Sequence, residues 1–531
     1  MKFLRVRSIL PDWKNALAAL VSAILLIGAF PDFEFWFLAW FALVPLLWAV
    51  EREKESAVKS FVLGWIFGTV FFFGTCWWLT FAPINYAGFP PALAYLLMFG
   101  VTAIVGVFPG IFAGILSFRF RSVGPIAIGS APTVWIFAEF LRYWVTGNNW
   151  NSIGYSMAFN GSDLLFLAPY GGVFLVGLLP LSYNAMLTGL FFILKDGQTP
   201  RKYYIVLLGG CVLPIVALYG LGFFDQATAR QFREDDSAAI VAIQPNVPMS
   251  GLTYEKWKQL RQRHVLLAES ALTKLNEQRT TNNYLPTTVI FPESPMNFMY
   301  EDDPETQEFI NSFAAKNNVS VLFNSAEPDL RNGKFFNSAV IVGPEGKEIG
   351  QYDKIYLVPF GESVPAPLQN IVPAFVGSFS YGNEYDLFPL GDAKAGVMIC
   401  FESHFGQLSR EYVLNGADVI IEMTNDGYLG PTPVLRQHLA NAVFRAVETN
   451  RPLLRVTNVG ITAYINERGE VLDPAVPYTE DTRVWSVSKS DGSQTFYVKY
   501  GDWFAWLCSV VTIGLLLYGN LTRKTIVNAG D

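Results

Sequence analysis

Long, almost uninterrupted apolar runs fill the first 224 positions and recur once near the end of the chain, at about 15–30, 34–50, 60–82, 91–118, 124–145, 165–194, 203–224 and 503–519. A helix needs roughly 20 such residues to cross about 30 Å of hydrocarbon. The pattern therefore predicts eight transmembrane helices. From about Ala238 the periodicity changes to short β-branched runs separated by polar helical stretches, which is the signature of an α/β fold. Strands are expected at 238–246, 287–294, 319–326, 338–346, 395–403, 417–426 and 452–460, with helices near 254–278, 304–316, 404–415 and 433–448. The chain thus reads as a polytopic α-helical membrane domain with seven helices (1–224), a polar α/β domain (225–500), and a last helix with a short tail (501–531).

Charge placement orients this frame. Lys2, Arg5, Arg7 and Lys14 precede the first run; Arg52, Lys54 and Lys59 follow the second; Arg119 and Arg121 follow the fourth; Lys195, Arg201 and Lys202 join the sixth and seventh; Arg523 and Lys524 follow the last. The intervening loops at Pro31–Phe33, Ala82–Pro91 and Thr146–Asp163 have no Lys or Arg. Because positively charged loops stay in the cytoplasm, both termini are expected there, and parity puts the polar domain outside. Asn85, Tyr86, Asn148, Trp150, Asn151 and Tyr155 in the outer loops suit the headgroup zone, as interfacial anchors or as a lipid cradle.

Composition agrees with a membrane protein: 51% of the 531 residues are hydrophobic and 15% aromatic. A formal charge of -7 supplies no basic face for phosphates and argues against a nucleic-acid partner. The four cysteines, Cys76, Cys211, Cys400 and Cys508, match neither a CxxC pair nor a metal-ligand spacing. Three lie in apolar runs, where a thiol behaves as a small hydrophobe. Cys400 alone lies in polar sequence.

Functional groups in α/β sheets gather where strands stop. Three such ends carry chemistry: Glu293 in FPESP, Lys354 in YDKIYLVPFGE and Cys400 in GVMICFES. A thiol closing an apolar strand, with no cysteine nearby to pair with, is either a buried structural residue or a nucleophile. A nucleophilic Cys needs a base and an oxyanion donor. His264, His404 and His438 lie in no recognisable cysteine-protease context. A desolvated Glu and a nearby ammonium fit the two roles instead.

These three motifs, in this order, resemble the nitrilase (carbon-nitrogen hydrolase) superfamily, with TNDGYLG resembling the strand that follows its Cys motif. The resemblance implies an αββα sandwich over about 225–500 and a catalytic triad of Glu293, Lys354 and Cys400. The membrane frame and the LVPFGE form of the Lys motif are similar to the apolipoprotein N-acyltransferase branch. That likeness implies active-site support from Glu362 and Glu402, and it places Asn337, Phe401 and Tyr428 as candidates along the substrate path. Phe401 stands where the family often has Tyr. It further implies a bacterial inner-membrane enzyme with a periplasmic catalytic domain and no metal or organic cofactor. The implied partners are membrane lipid, a phospholipid acyl donor such as phosphatidylethanolamine, and a diacylated apolipoprotein acceptor. Two other readings stay open: a membrane-tethered amidase or thioester hydrolase, and a transporter or receptor with a binding domain. The apolar stretch Val364–Phe379 is a candidate lid.

Overall fold

A computed structural model describes residues 9–159, 162–196, 216, 236–278, 285–296, 298–359, 361–364 and 379–528. The predicted span at 203–224, Cys211 and nearly all of the candidate lid fall outside these residues. The chain divides into two compact units, one of Met1–Ala229, Thr432–Gln437 and Asp502–Asp531, the other of Arg230–Pro431 and His438–Gly501.

The first unit is helical: α1 (Trp13–Gly28), α2 (Val44–Arg52), α3 (Ala57–Cys76), α4 (Pro91–Val105), α5 (Val107–Val123), α6 (Ala131–Thr146), α7 (Ala168–Asp196) and, late in the chain, the helix Trp503–Asn528. Among the described residues, the stretches Ala57–Asn85, Pro91–Thr146 and Ala168–Lys195 are long and apolar enough to cross a membrane, and Trp13–Gly28 and Trp503–Gly519 are shorter apolar helices. Large apolar side chains are exposed on several helices of this unit, among them Leu96 at 65% and Ile104 at 68%, as lipid contact requires.

The predicted span 34–50 is instead a 3-10 turn (Trp36–Trp40) followed by the short α2, which carries Pro45 in its first turn. The expected 91–118 helix breaks at Gly106 between α4 and α5. Pro109 has no N–H to return to the Val105 carbonyl, so the ladder loosens there. Trp150, Asn151 and Tyr155 are buried within this unit. Within this unit Gln437 Oε1 accepts from the Trp78 indole (3.1 Å) and the Trp150 indole (2.9 Å), while its amide donates to the carbonyls of Thr75 (2.9 Å) and Pro31 (3.2 Å).

The second unit holds two six-stranded sheets in the orders β12-β1-β2-β3-β4-β5 and β11-β10-β9-β8-β7-β6. The strands of the first sheet are β1 (Asp236–Gln244), β2 (Thr287–Ile290), β3 (Ser320–Asp329), β4 (Lys334–Val342), β5 (Glu348–Asp353) and β12 (Asp481–Ser488). Those of the second are β6 (Leu387–Leu390), β7 (Ala393–Ile399), β8 (Val419–Thr424), β9 (Leu453–Thr457), β10 (Ala463–Ile465) and β11 (Val471–Leu472). Central strands run parallel, β1 with β2 with β3 and β7 with β8 with β9, and the outer pairs are antiparallel.

Two buried faces explain the near-continuous apolar runs. On one face of the first sheet Val241, Ile243, Val289, Val321, Phe323 and Val340 pack with helices α8 (Tyr254–Gln278) and α9 (Pro304–Asn317) through Ala268, Leu272, Ile310 and Phe313. Toward the other sheet, Gln244 Oε1 accepts from the Thr457 hydroxyl (3.2 Å) and Asn458 Oδ1 accepts from the Val247 amide (2.8 Å). Helices α10 (Gly406–Leu414) and α11 (Val434–Thr449) follow β7 and β8 and complete the αββα layering.

Gly64 and Gly68 let α3 approach α5 closely: a Cβ at Gly64 would collide with the Pro109 carbonyl, and one at Gly68 would lie 2.9 Å from the Gly106 Cα. Small residues at such crossings carry helix association in lipid. Gly64→Ala is expected to destabilise the helical unit by about 1–3 kcal/mol through overpacking, read as a lowered unfolding midpoint of the full chain in detergent.

Candidate active site

The strands deliver three side chains to one place. Glu293 lies just past β2, Lys354 directly after β5, and Cys400 directly after β7. β7 ends one residue before the thiol, and Cys400 opens a 3-10 turn, Cys400–His404, in the left-handed region with φ 52°. A non-glycine residue holds that conformation only when its surroundings fix it.

Glu293 is tethered at both oxygens. Oε1 accepts from Asn337 Nδ2 (3.2 Å) and Oε2 from the Asn425 backbone amide (3.1 Å). The Cys400 thiol also hydrogen-bonds to this carboxylate. Burial raises the Glu293 pKa, opposed by the Lys354 charge and reinforced by Glu362.

Lys354 is 0% exposed. Its ammonium donates to Glu362 Oε1 at 2.8 Å. Burial alone would lower its pKa, but the carboxylates of Glu362 and Glu293 outweigh burial and hold it above its ordinary value. Glu362 is fixed in turn by the Val358 amide (2.8 Å) and by Asn337 Nδ2 (2.6 Å). Asn337 therefore bridges the two carboxylates, while its own Oδ1 accepts from Asn324 (2.7 Å).

The Cys400 pKa is well above that of a free thiol. Burial and the Glu293 charge push it up; Lys354 and a hydrogen bond with the Thr424 hydroxyl pull it down. At rest the sulfur keeps its proton, within reach of a carboxylate whose affinity for protons is itself raised. The arrangement can move that proton from sulfur to Glu293 while the ammonium holds developing negative charge.

Glu402 is a clamp. Its Oε1 accepts from the Tyr352 hydroxyl (2.8 Å) and the amides of Ile355 (2.7 Å) and Tyr356 (3.0 Å), and its Oε2 accepts from the Ile399 amide (2.8 Å). One carboxylate thus ties the segment after Lys354 to the residue before Cys400. Burial raises its pKa to about 7, countered by Lys354 and by those donors.

The remaining sequence candidates lie further out. Phe401 stacks on His404 with ring centroids 5.5 Å apart and meets Phe405 edge-on at 5.2 Å, in a cluster that includes Tyr356. Tyr428 sits on the Asp426–Leu429 turn, 49% exposed. Among the described residues no group of three or more His, Cys, Asp or Glu converges as a metal site. Sequence reasoning missed Asn425, whose contribution is a backbone amide. It also missed the buried ion pairs of Glu422, Asp426, His438 and Arg455 behind the thiol. A Glu and an Arg inside otherwise apolar strand runs were the available signal, since β8 and β9 place Glu422 opposite Arg455.

Comparison with known proteins adds a family context. Residues 22–186 match the family described as apolipoprotein N-acyltransferase N-terminal domain, and residues 238–495 match carbon-nitrogen hydrolase. An apolipoprotein N-acyltransferase of Geobacter metallireducens is 29% identical, over 96% of this chain and 96% of that protein. One from Thermotoga maritima is 28% identical, over 93% and 92% respectively. Among solved structures, Saccharomyces cerevisiae Nit3, a nitrilase-superfamily member, aligns at 17% identity with a TM-score of 0.37, over 48% of this chain and 90% of that one.

Every hydrogen bond at Glu402 is one it accepts, so an amide cannot replace the carboxylate: the NH2 of Gln would face an N–H or O–H. Glu402→Gln is therefore expected to cost about 1–3 kcal/mol of stability despite its matching shape, measured as the unfolding midpoint in detergent. An unchanged midpoint would remove the clamp from this account.

Proposed function

We infer from the chain's place among the apolipoprotein N-acyltransferases, the family to which it belongs, that it moves the sn-1 acyl chain of a phospholipid onto the α-amino group of a lipoprotein's S-diacylglyceryl cysteine. The observation that carries this reading is the convergence of Cys400, Glu293 and Lys354 in a chain whose other unit is built of apolar helices. Glu293 takes the thiol proton as sulfur attacks the ester carbonyl, and Lys354 stabilises the oxyanion of the tetrahedral intermediate. Collapse breaks the ester C–O bond. The proton passes from Glu293 to the departing alkoxide, giving lysophospholipid and a thioacyl Cys400.

The second half reverses these roles. The α-amine attacks the thioester, Glu293 accepts its proton, and the C–S bond breaks to leave an amide and a thiolate that recovers the proton from Glu293. The enzyme alternates between two covalent states, a ping-pong cycle. Glu362 and Asn337 hold Lys354 and Glu293 in place, and Glu402 fixes the Lys354 segment against the strand end of Cys400. Both substrates are anchored by acyl chains, so a thiol reached at the membrane surface suits them. The Lys and Arg distribution supports cytoplasmic termini and a periplasmic catalytic unit in a bacterial inner membrane.

Intact mass spectrometry of the protein with phosphatidylethanolamine tests the cycle. The parent is expected to gain a hydroxylamine-labile acyl mass that Cys400→Ala lacks, and to lose it to the amine of an added diacylated lipopeptide. Loss to water alone would instead make the protein a thioester hydrolase, and an equal adduct on the alanine variant would end the assignment of Cys400.

The raised Glu293 pKa fixes a pH dependence. The group acts as a carboxylate, so kcat/KM should rise with pH through a limb lying above the ordinary carboxylate range and then level off. Glu293→Gln should abolish this limb and slow acylation by about 10²–10⁴-fold. A pH profile unchanged in the variant would remove Glu293 from the role of base.

A further inference from the structure

Against the backbone of Cys400 lies a set of buried charges that the acyl-transfer cycle does not use. Glu422 on β8 and Arg455 on β9 are cross-strand neighbours joined by a short ion pair. Arg455 Nη2 also donates to Asp426 Oδ2 at 2.8 Å. From α11, His438 reaches the same group: Nδ1 lies 2.8 Å from Asp426 Oδ1, and Nε2 lies 3.1 Å from Glu422 Oε1 and 3.1 Å from the backbone carbonyl oxygen of Cys400. All four side chains are buried.

We propose that His438 is a positioning residue for the nucleophile: its Nε2–H donates to the Cys400 carbonyl and, braced on Asp426, Glu422 and Arg455, it holds the left-handed turn that presents the thiol to Glu293. Both ring nitrogens face acceptors, and only an imidazolium has a donor on each. Arg455 Nη2 comes within 3.3 Å of Nδ1, but the guanidinium is directed onto the carboxylates. Burial and the Arg455 charge lower the His438 pKa, yet Glu422 and Asp426 carry it up to about 9. Two cations then balance two carboxylates, which is the condition for burying them together.

A neutral glycine-like solution at position 400 is unavailable, because the residue must carry the thiol. Its φ of 52° is therefore held from outside, and the carbonyl is the atom on which a neighbour can hold it. A small rotation of this peptide would swing the sulfur away from the carboxylate that takes its proton. His438 touches no reacting atom, so its effect falls on the rate of sulfur attack and not on substrate binding.

This inference rests on Cys400 being the acylated residue. Its test is single-turnover formation of the thioester by the full chain in detergent with phosphatidylethanolamine, comparing the parent with His438→Gln and Asp426→Asn. The amplitude reports the folded fraction, and the rate constant reports positioning. The expected result is a rate constant at least about tenfold lower in the molecules that do acylate, with half-saturation within about twofold of the parent. Reduced amplitude at the parent rate constant would mean that the charges serve folding only and would overturn the proposal. Should His438→Gln yield no folded protein, Asp426→Asn, which weakens the brace but keeps the imidazole, decides by the same two readouts. Absence of any thioester on the parent would instead refute the assignment of Cys400.

Discussion

A fully buried ammonium sets the terms for the whole site. Lys354 has no access to water, and an isolated ammonium in such a place would give up its proton. It stays charged because Glu362 and Glu293 surround it. Once that requirement is met, much else follows. Glu362 must be pinned, which the Val358 amide and Asn337 accomplish; Glu293 must be kept apart from Glu362, which the bridging Asn337 amide also does. The carboxylate that remains beside the thiol is then buried, close to a second carboxylate and partly neutralised. Its raised proton affinity comes first from burial and is reinforced by Glu362, with Lys354 opposing it.

The thiol shares this environment and is adapted to it. A reactive cysteine is often one whose thiolate is stabilised at rest, but burial and Glu293 push Cys400 the other way. Both the thiol and Glu293 have a raised affinity for the proton, and in the proposed cycle it moves to Glu293 as negative charge passes to the carbonyl of a substrate beside Lys354. Such a resting thiol is protected from oxidants and alkylating agents, since the thiolate is the reactive form.

What was legible in the sequence follows burial. β1, β2, β3, β4, β7, β8 and β9 are central or well covered, so their β-branched runs announced them within a few residues. β5 and β12 are half-buried edge strands with polar residues, β6 contains Pro389, and β10 and β11 are very short. Edge pairing needs little apolar signal and tolerates proline, so the residues gave little sign of these strands. In the helical unit, hydropathy marked apolar stretches well but not their breaks. Pro45 and Pro109 restrict the backbone locally, and a sliding apolar window passes over them. Glu293 and Cys400 were legible because each stands where an apolar run stops, and Lys354 was legible through the motif YDKIYLVPFGE. Asn425 was not, since a backbone amide has no residue signature, and His438 was set aside because it lies in no recognisable cysteine-protease context.

The two supports of the nucleophile complement each other. Glu402 holds the amide of Ile399, just before the thiol residue, and His438 faces the carbonyl of Cys400, just after its Cα. One support is an acceptor and the other a donor, as the two backbone groups require. Between them they hold the backbone on either side of Cys400, and such outside support is how a strained conformation persists in a folded chain. The cost of that strain is met far from the reacting atoms, by a carboxylate with four donors and by a neutral set of four buried charges. The groups around the sulfur are thereby left to proton transfer and charge stabilisation, with geometry already supplied by the layers behind them.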